Sequence, residues 1–341
     1  MTKLFQLNSE DDMEKVVAQF QQIAQKALQE YDLDGAHIRF NQLSDTCTFI
    51  VETEKDGDYL LRIHANKNRK EIDSELAWLS YLHEKIDVAI PTGVECRNGS
   101  KTVSIELANG DCVFVSVMRW VEGEHVDEKM TEEQVYKEGV LLAKLHTVSP
   151  DFQLPPEFAR PIWGEDSFKQ SMTRLTEHYH RFLTDEEFEL YQLAADKILT
   201  GLSKLDKNSS NYGIIHGDLH QGNIVFHNGD PRPIDFGRCG FGYYLYDIAH
   251  TILGLFPAQR ELVMKGYESL RKLEGDWLSK LESFAVMVMI ENYSHHASDP
   301  RETEGLKKEQ PYAIPMVKNY LNGKPFLFPS KAVKYWNQTT I

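Results

Sequence analysis

Several common sequence signals are missing from this chain of 341 residues. No Cys-x-x-Cys pair occurs among the four cysteines, so the sequence predicts neither a zinc site nor a disulfide framework. The most apolar run, at 284–290, is too short to span a bilayer. The first residues have no apolar core of the kind that marks a signal peptide. We therefore expect a reduced, cytoplasmic protein that does not enter a membrane.

Basic residues are in the minority. The chain has 37 Lys and Arg against 52 Asp and Glu, which gives a formal net charge of -15 at pH 7. Nucleic acids and anionic membranes bind surfaces rich in Lys and Arg, so we expect neither as a main partner. The charge suits a cationic substrate weakly, and a solvated acidic surface explains most of it better.

The most informative stretch is Ile-His-Gly-Asp-Leu-His-Gln-Gly-Asn-Ile-Val-Phe at 215–226, followed by Pro-Ile-Asp-Phe-Gly at 233–237. It holds two carboxylates and an amide at fixed offsets: Asp218, then Asn223, then Asp235. An amide oxygen beside a carboxylate makes a hard-oxygen site suited to Mg²⁺. A carboxylate on the preceding loop can take a proton from an attacking hydroxyl.

A hairpin that brings these residues together follows from the Asn-Gly dipeptide at 228–229, a two-residue turn with positive φ at both positions. In the register that this turn sets, Asn223 lies opposite Ile234 and therefore beside Asp235. The prolines of the second strand agree, because their missing N–H groups point away from the partner strand. A polar hairpin without chemistry is the alternative, which two motifs in the right order disfavour.

This spacing is that of the H-x-D-x-x-x-x-N and D-F-G motifs of kinases. The run His-Gly-Asp-Leu-His-x-Gly-Asn at 216–223 resembles the aminoglycoside phosphotransferase family, which shares its fold with choline, methylthioribose and fructosamine kinases. The resemblance covers about residues 36–300. It implies an α+β, two-lobed protein-kinase-like fold, with a small antiparallel β lobe at 1–122 and a larger, mainly helical lobe at 123–341.

The order of elements in the first lobe fits that expectation. Runs rich in β-branched and aromatic residues predict five strands, and apolar residues at helical spacing predict two helices. The strands are expected at 38–43, 48–53, 59–63, 103–107 and 113–118, and the helices at 11–31 and 69–84.

The resemblance implies an ATP site with three parts in this lobe. Ser44, Asp45 and Thr46 join the first two strands where kinases carry a glycine-rich phosphate loop, although an ordinary hairpin turn explains them equally well. The hinge that binds adenine would be formed by Met118, Arg119, Trp120 and Val121.

The third part is an ion pair. Arg62 stands on the third strand where kinases usually have a phosphate-binding lysine, and Glu75 lies on the helix that carries its partner. Arginine binds phosphate through two nitrogens of a planar head, so its geometry differs from that of lysine. The alternative is that both are surface charges.

In the second lobe, the family pattern assigns Asp218 as the catalytic base, and Asn223 and Asp235 as the Mg²⁺ ligands. His220 would either meet the γ-phosphate or play a structural part.

Three further residues of this lobe are given supporting or alternative roles. His216 would support the catalytic loop, and Asp247 would hold the backbone of that loop or serve as a simple helix-start carboxylate. Glu291, near the end of a long predicted helix, is either an acceptor contact or a polar helix end.

The sequence therefore predicts an ATP- and Mg²⁺-dependent kinase that phosphorylates a hydroxyl of a small molecule, such as an aminoglycoside, an amino alcohol or a sugar derivative. A protein serine/threonine kinase is the second hypothesis. No A-P-E segment follows the metal motif, and only twelve residues separate Asp235 from Asp247, which argues against it. A nucleotide-binding regulatory protein without turnover is the third. The identity of the acceptor and the oligomeric state stay open.

Overall fold

The computed structural model of this chain describes residues 10–33, 35–44, 46–54, 57–64, 66–107, 109–126 and 130–328, with side chains from residue 16 onward. It divides into two compact units. The first comprises Met1–Gly123 with Phe152–Arg160, and the second comprises Glu124–Asp151 with Pro161–Ile341. None of the helices in the described part of the chain is long and apolar enough to cross a membrane.

The first unit is built on a five-stranded antiparallel sheet with strand order β1-β2-β3-β5-β4. Its elements are α1 (Glu10–Glu30), β1 (His37–Leu43), β2 (Thr46–Glu52), β3 (Tyr59–His64), α2 (Arg69–Lys85), β4 (Thr102–Glu106) and β5 (Cys112–Arg119). The apolar face of α1 joins the inward side chains of the strands in one buried cluster, which includes Phe20, Phe49, Leu61 and Val115. All five predicted strands and both helices are present, with ends shifted by at most two residues.

A short segment after the first helix of the second unit, Phe152–Arg160, belongs to the first unit. The ring of Phe152 packs against Trp78 of α2 with centroids 5.1 Å apart, and the backbone N–H of Ala159 donates to Ser74 Oγ at 2.9 Å. The lobe boundary predicted near Gly123 leaves this segment in the second lobe, because nothing in its proline-rich composition indicates that it packs against α2.

The second unit is mainly helical. Its elements are α3 (Glu132–Val148), α4 (Glu165–His178), α5 (Asp185–Leu202), β6 (Tyr212–Ile215), β7 (Ile224–His227), β8 (Asp230–Pro233), β9 (Gly240–Tyr243), α6 (Tyr244–Leu253), α7 (Pro257–Glu268), α8 (Trp277–His296) and α9 (Thr303–Leu321). The four strands form two antiparallel pairs, β6 with β9 and β7 with β8. Glycines let α3 and α7 approach closely, because a Cβ at Gly139 would lie 2.0 Å from the carbonyl oxygen of Val263.

The β7–β8 hairpin has the register that the sequence predicts. His227 pairs with Asp230 across the turn, and Ile224 pairs with Pro233. Asn228 and the glycine after it have φ angles of 53° and 83°, the left-handed values that the turn requires.

Candidate active site

The hairpin holds Asn223 and Asp235 at its open end. The backbone N–H of Ile234 donates to the carbonyl of Asn223 at 2.9 Å, which continues the hairpin ladder by one pair and places Asp235 next to it. The side-chain amide of Asn223 donates through Nδ2 to the carbonyl of Asp218 at 2.9 Å. Because its nitrogen is used in this way, Oδ1 is the atom that Asn223 can offer to a cation.

Asp235 adopts a left-handed backbone with φ 54° and ψ 66°, an uncommon conformation for a residue other than glycine. Its Oδ1 accepts a hydrogen bond from the backbone N–H of Gly237 at 3.2 Å, which helps to fix the carboxylate. Strained backbone of this kind is concentrated at functional sites. One amide oxygen and one carboxylate suit Mg²⁺, which keeps several waters and takes phosphate oxygens as further ligands.

Within the described ranges, no group of three or more His, Cys, Asp and Glu side chains is arranged to hold a metal ion. Mg²⁺ does not need such a group, because it binds through one or two carboxylates together with substrate phosphates. The amide oxygen and the carboxylate at the hairpin fit the hard cation that the sequence predicts.

The loop that carries Asp218 turns sharply at Gly217, where φ is 77°. A Cβ at this position would lie 2.6 Å from the carbonyl oxygen of Arg238 and 2.8 Å from Trp163 Nε1, so the loop needs glycine. The Asp218 carbonyl accepts from the backbone N–H of His220 at 2.9 Å. The loop is thus tied to itself, and the Asp218 carboxylate keeps 23% of its surface exposed.

Burial raises the pKa of the Asp218 carboxyl group above its usual value, although the positive charge of Arg238 opposes the shift. A raised pKa makes a carboxylate a better proton acceptor, which a general base requires. The imidazole of His250 lies close to this carboxylate, with Nδ1 3.6 Å from Asp218 Oδ1.

Asp247, at the start of α6, anchors the other side of the loop. Its two carboxylate oxygens accept the backbone N–H groups of His216 and Gly217, each at 2.8 Å. His146 of α3 lies 3.1 Å from the same carboxylate. Burial pushes the pKa of Asp247 upward, but hydrogen bonds from His146 and from the backbone N–H of His216 outweigh it, so the pKa is lowered and the group stays ionised. This is the contact that the family pattern implies for Asp247.

Two histidines of the motif face the loop itself. His216 Nε2 lies 3.0 Å from the carbonyl oxygen of Ile234, and its ring packs on Phe236 with centroids 4.4 Å apart. His220 Nδ1 accepts the backbone N–H of Gly222 at 3.0 Å, which makes it the cap of a short helical turn. Both geometries support the loop, and for His220 they favour the structural alternative.

In the first unit, the side chains of Arg62 and Glu75 form a buried ion pair. The alternative that both are surface charges is therefore wrong, since their side chains are 7% and 1% exposed. Arg62 Nη1 also lies 3.5 Å from Met118 Sδ, which connects this pair to the end of β5.

Two more cations surround Glu75. Arg160 Nη1 lies 3.4 Å from its carboxylate and Lys67 Nζ lies 3.6 Å from it. Burial raises the pKa of Glu75, but the charges of Arg62, Lys67 and Arg160 outweigh it and hold that pKa well below the usual range. Three cationic side chains thus meet at one carboxylate, and Arg and Lys are the side chains that bind phosphate oxygens.

The sequence did not identify Arg160 or Lys67. Arg160 follows a proline-rich loop far along the chain, and only the fold brings it to α2. For Lys67 the sequence offers only its place just before Asn68, where the capping box of α2 begins.

The remaining positions expected to bind ATP are partly engaged by the protein. The backbone N–H of Arg119 donates to Thr92 and that of Trp120 to Asp58, at 2.8 and 3.0 Å, so neither is available to adenine. Met118 is buried and Val121 is half-buried.

In the turn between β1 and β2, the N–H of Ser44 donates to the carbonyl of Thr46 at 3.0 Å, and Thr46 is buried at the start of β2. The ordinary hairpin turn accounts for these two contacts. Asp45 lies outside the described residues.

A profile of a phosphotransferase enzyme family matches residues 38–278 of this chain. That span runs from the first strand of the sheet, through the catalytic loop and the hairpin, to the start of α8. It includes every residue predicted for the nucleotide, the metal and the catalytic loop, but not Glu291.

Individual proteins agree with the profile. The amicoumacin kinase of Bacillus subtilis (strain 168) is 26% identical over 298 residues, which are 82% of this chain and 84% of that protein. The solved structure of a microcompartment-associated aminopropanol kinase has a TM-score of 0.77 at 26% identity and covers 90% of this chain and 99% of its own. An amicoumacin kinase solved with AMP-PNP and Ca²⁺ has a TM-score of 0.76 at 19% identity, with coverage of 94% and 99%.

Proposed function

Because this chain belongs to the phosphotransferase enzyme family, we propose that it transfers the γ-phosphoryl group of ATP to a hydroxyl group of a small molecule. The family and the kinase-like fold confirm the resemblance in the sequence. The observation that carries the proposal is the hairpin register, which places Asn223 and Asp235 side by side next to the loop of Asp218.

Each catalytic side chain has a defined task in this proposal. Asp218 accepts the proton of the acceptor hydroxyl while that oxygen bonds to the γ-phosphorus and the bond from phosphorus to the β,γ-bridging oxygen breaks, releasing ADP. Asn223 Oδ1 and the Asp235 carboxylate would hold Mg²⁺. The chemistry that a bound Mg²⁺ supplies is neutralisation of charge on the phosphate oxygens.

Arg62 binds phosphate oxygens of the nucleotide in the first unit. Glu75 fixes the guanidinium, and Lys67 and Arg160 contact the same carboxylate, which adds two more side chains of the kind that bind phosphate. The amicoumacin kinase structure, which contains a nucleotide analogue and a divalent cation, supports the same pairing of ligands for this chain. ATP and Mg²⁺ are the members of those classes that we propose.

A small acceptor is favoured over a protein acceptor by the short segment that follows the metal motif. Strand β9 begins at Gly240 and α6 at Tyr244, so only a few residues after Asp235 are free of regular structure. The two relatives are named for small acceptors, and aminopropanol itself carries an amine and a hydroxyl. We propose an amino alcohol or a related amine-bearing hydroxyl compound, which also suits the acidic chain.

The test is ATP consumption by the purified protein with Mg²⁺ across a panel of acceptors. The panel contains aminopropanol and other amino alcohols, choline analogues, aminoglycosides, homoserine, methylthioribose and a generic protein substrate, with Asp218→Asn as the control. We expect one acceptor class to stimulate ATP consumption in the wild type and not in the control. Stimulation by the protein substrate alone would contradict the proposal, and so would acceptor-dependent turnover that persists in Asp218→Asn.

A further inference from the structure

The carboxylate of Asp218 has few partners in the fold. Its backbone carbonyl is bonded twice, but across the described residues no hydrogen bond reaches its carboxylate oxygens. The side chain that contacts it is His250, with Nδ1 3.6 Å from Oδ1. A carboxylate without an orienting partner would populate rotamers that do not face the acceptor, and such misplacement is costly in a reaction that depends on positioning.

His250 belongs to a stripe on α6 that holds the catalytic loop. Asp247, His250 and Thr251 are spaced i, i+3 and i+4, so they share one helix face. Asp247 binds the backbone N–H groups at the start of the loop, and Thr251 Oγ1 donates to the carbonyl of Leu219 at 2.7 Å. His250 lies between these two contacts, opposite the side chain of Asp218.

The ring of His250 is fixed and nearly inaccessible. Its side chain is 1% exposed, and Tyr246 packs edge-on against it with centroids 4.9 Å apart. Burial lowers the pKa of His250 well below its usual value, and the charges of Arg238, His220 and His216 add to the effect against the opposing charge of Asp247. The imidazole is therefore neutral at physiological pH.

A neutral imidazole carries one N–H, and the surroundings select which nitrogen holds it. Nε2 is buried and has no hydrogen-bond partner among the described residues. A proton on Nε2 would leave that donor unpaired and would aim the Nδ1 lone pair at a carboxylate. The tautomer with the proton on Nδ1 avoids both costs.

We propose that His250 is a positioning residue for phosphoryl transfer: its Nδ1–H donates to Asp218 Oδ1 and turns the other carboxylate oxygen toward the acceptor hydroxyl. A contact of 3.6 Å is slightly longer than a hydrogen bond, and catalytic contacts of this kind tighten when substrate binds. A neutral donor orients the base without the loss of basicity that a cation would cause. The inference rests on the proposed role of Asp218 as the base.

Two isosteric variants test which nitrogen matters. In His250→Asn the amide nitrogen takes the place of Nδ1, whereas in His250→Gln it reaches toward the place of Nε2. We expect kcat to fall roughly 10- to 100-fold in His250→Gln and in His250→Leu, and to stay within about threefold of wild type in His250→Asn. The KM for ATP should be unchanged in all three, because the contacts of His250 are with Asp218 and Tyr246 rather than with the proposed metal ligands.

A merely structural role gives a different pattern. The proposal is overturned if His250→Asn loses as much kcat as His250→Leu, or if all three variants keep the wild-type kcat. Asp218→Asn is measured in parallel, because wild-type turnover in that variant would refute the base itself rather than its positioning.

A measurement on the unmodified protein covers the case in which the variants do not fold. Long-range ¹H–¹⁵N NMR of protein labelled with ¹⁵N-histidine reports the tautomer of each imidazole. The His250 ring is recognised as one that stays neutral as the pH is lowered and that shifts in Asp218→Asn. We expect its proton on Nδ1, and a proton on Nε2 would overturn the proposal.

Discussion

Glu75 of the first unit and Asp218 of the second are both carboxylates that the fold withdraws from water, and their pKa values move in opposite directions. Three cations surround Glu75, and they outweigh the effect of burial and lower its pKa. Asp218 contacts the neutral His250 at 3.6 Å, and the positive charge of Arg238 does not outweigh the effect of burial, so its pKa rises.

The opposite pKa shifts of Glu75 and Asp218 suit the role that we propose for each carboxylate. The Glu75 carboxylate has to stay ionised to hold Arg62 in place, and neighbouring cations guarantee that. In the proposed mechanism Asp218 accepts a proton, and a close cation would lower its basicity. A carboxylate thus serves as a fixed counter-charge in one unit and, in the proposed mechanism, as a reactive group in the other.

Removal of the Glu75 charge should have the largest effect on stability. Glu75→Gln leaves Arg62 and Arg160 buried without their counter-charge, and breaking a buried ion pair costs about 3–5 kcal/mol. Chemical denaturation at pH 7 measures the loss. The control is Glu157→Gln, which breaks an exposed pair with Lys70 and should change the free energy of unfolding by less than about 0.5 kcal/mol.

The pH dependence of the free energy of unfolding tests whether Glu75 is ionised in the folded protein. The pKa of Glu75 is lower in the folded protein than in the unfolded chain, so its contribution is complete above the unfolded value of about 4.3 and is lost as the pH falls below that value. The difference in free energy of unfolding between wild type and Glu75→Gln should therefore become smaller below about pH 4. A gap that widens in acid would show that Glu75 is not held as the ionised partner.

Glu291 on α8 is a carboxylate whose pKa is raised, as is that of Asp218. Burial raises its pKa to about 7, and the hydroxyl of Tyr246 donates to it at 2.7 Å. The folded protein keeps this proton longer than the unfolded chain does, so wild-type stability falls as the pH rises from about 4.3 to 7.

Glu291→Gln should remove that dependence. We expect the variant to match wild type at pH 4 and to gain about 4 kcal/mol over it at pH 8, from about 1.4 kcal/mol per pKa unit. Glu304→Gln, on the exposed pair with Lys307, is the control. Equal slopes of stability against pH for Glu291→Gln and wild type would refute the raised pKa.

Asp235→Asn tests the proposed metal site beside the reactive carboxylate. Loss of this charge should weaken nucleotide binding in the presence of Mg²⁺ by roughly 10- to 100-fold, since one carboxylate is half of the proposed protein donor set. Without Mg²⁺ the affinity should be the same as that of wild type. Titration calorimetry with and without the metal measures both, and a Mg²⁺ response equal to that of wild type would contradict the assignment.

The smallest expected effect is on the stability of Asp218→Asn. Because burial raises the pKa of Asp218, its ionised form costs stability at neutral pH, and an uncharged amide removes that cost. We expect the melting temperature to stay the same or to rise. A clear drop would mean that Asp218 is a structural counter-charge like Glu75, and the comparison would fail.

Local rules predicted much of this fold. The Asn-Gly turn set the hairpin register, and the spacing of apolar residues placed α2 and the strands of the sheet. The Arg62–Glu75 pair was predicted from the family resemblance, which assigns a cation and a carboxylate to the strand and the helix that the patterns located.

Long-range contacts were not predictable in the same way. Arg160 reaches Glu75 from a loop 85 residues further along the chain, and no local pattern in the sequence indicates that this loop packs against α2. His250 gave a readable signal, three residues after Asp247 on the same helix face, but only the structure shows that this face meets the catalytic loop. The hydrogen bonds of the expected hinge were also not predictable, since the N–H groups of Arg119 and Trp120 donate to backbone carbonyls of distant segments.

The most direct test is a single-turnover experiment with Asp218→Asn and γ-labelled ATP, using the acceptor that the panel identifies and measuring ATP binding on the same sample. The account predicts that transfer of label to the acceptor slows by roughly 10²- to 10⁴-fold while ATP affinity stays within a few-fold of wild type. Transfer at the wild-type rate would show that Asp218 is not the base.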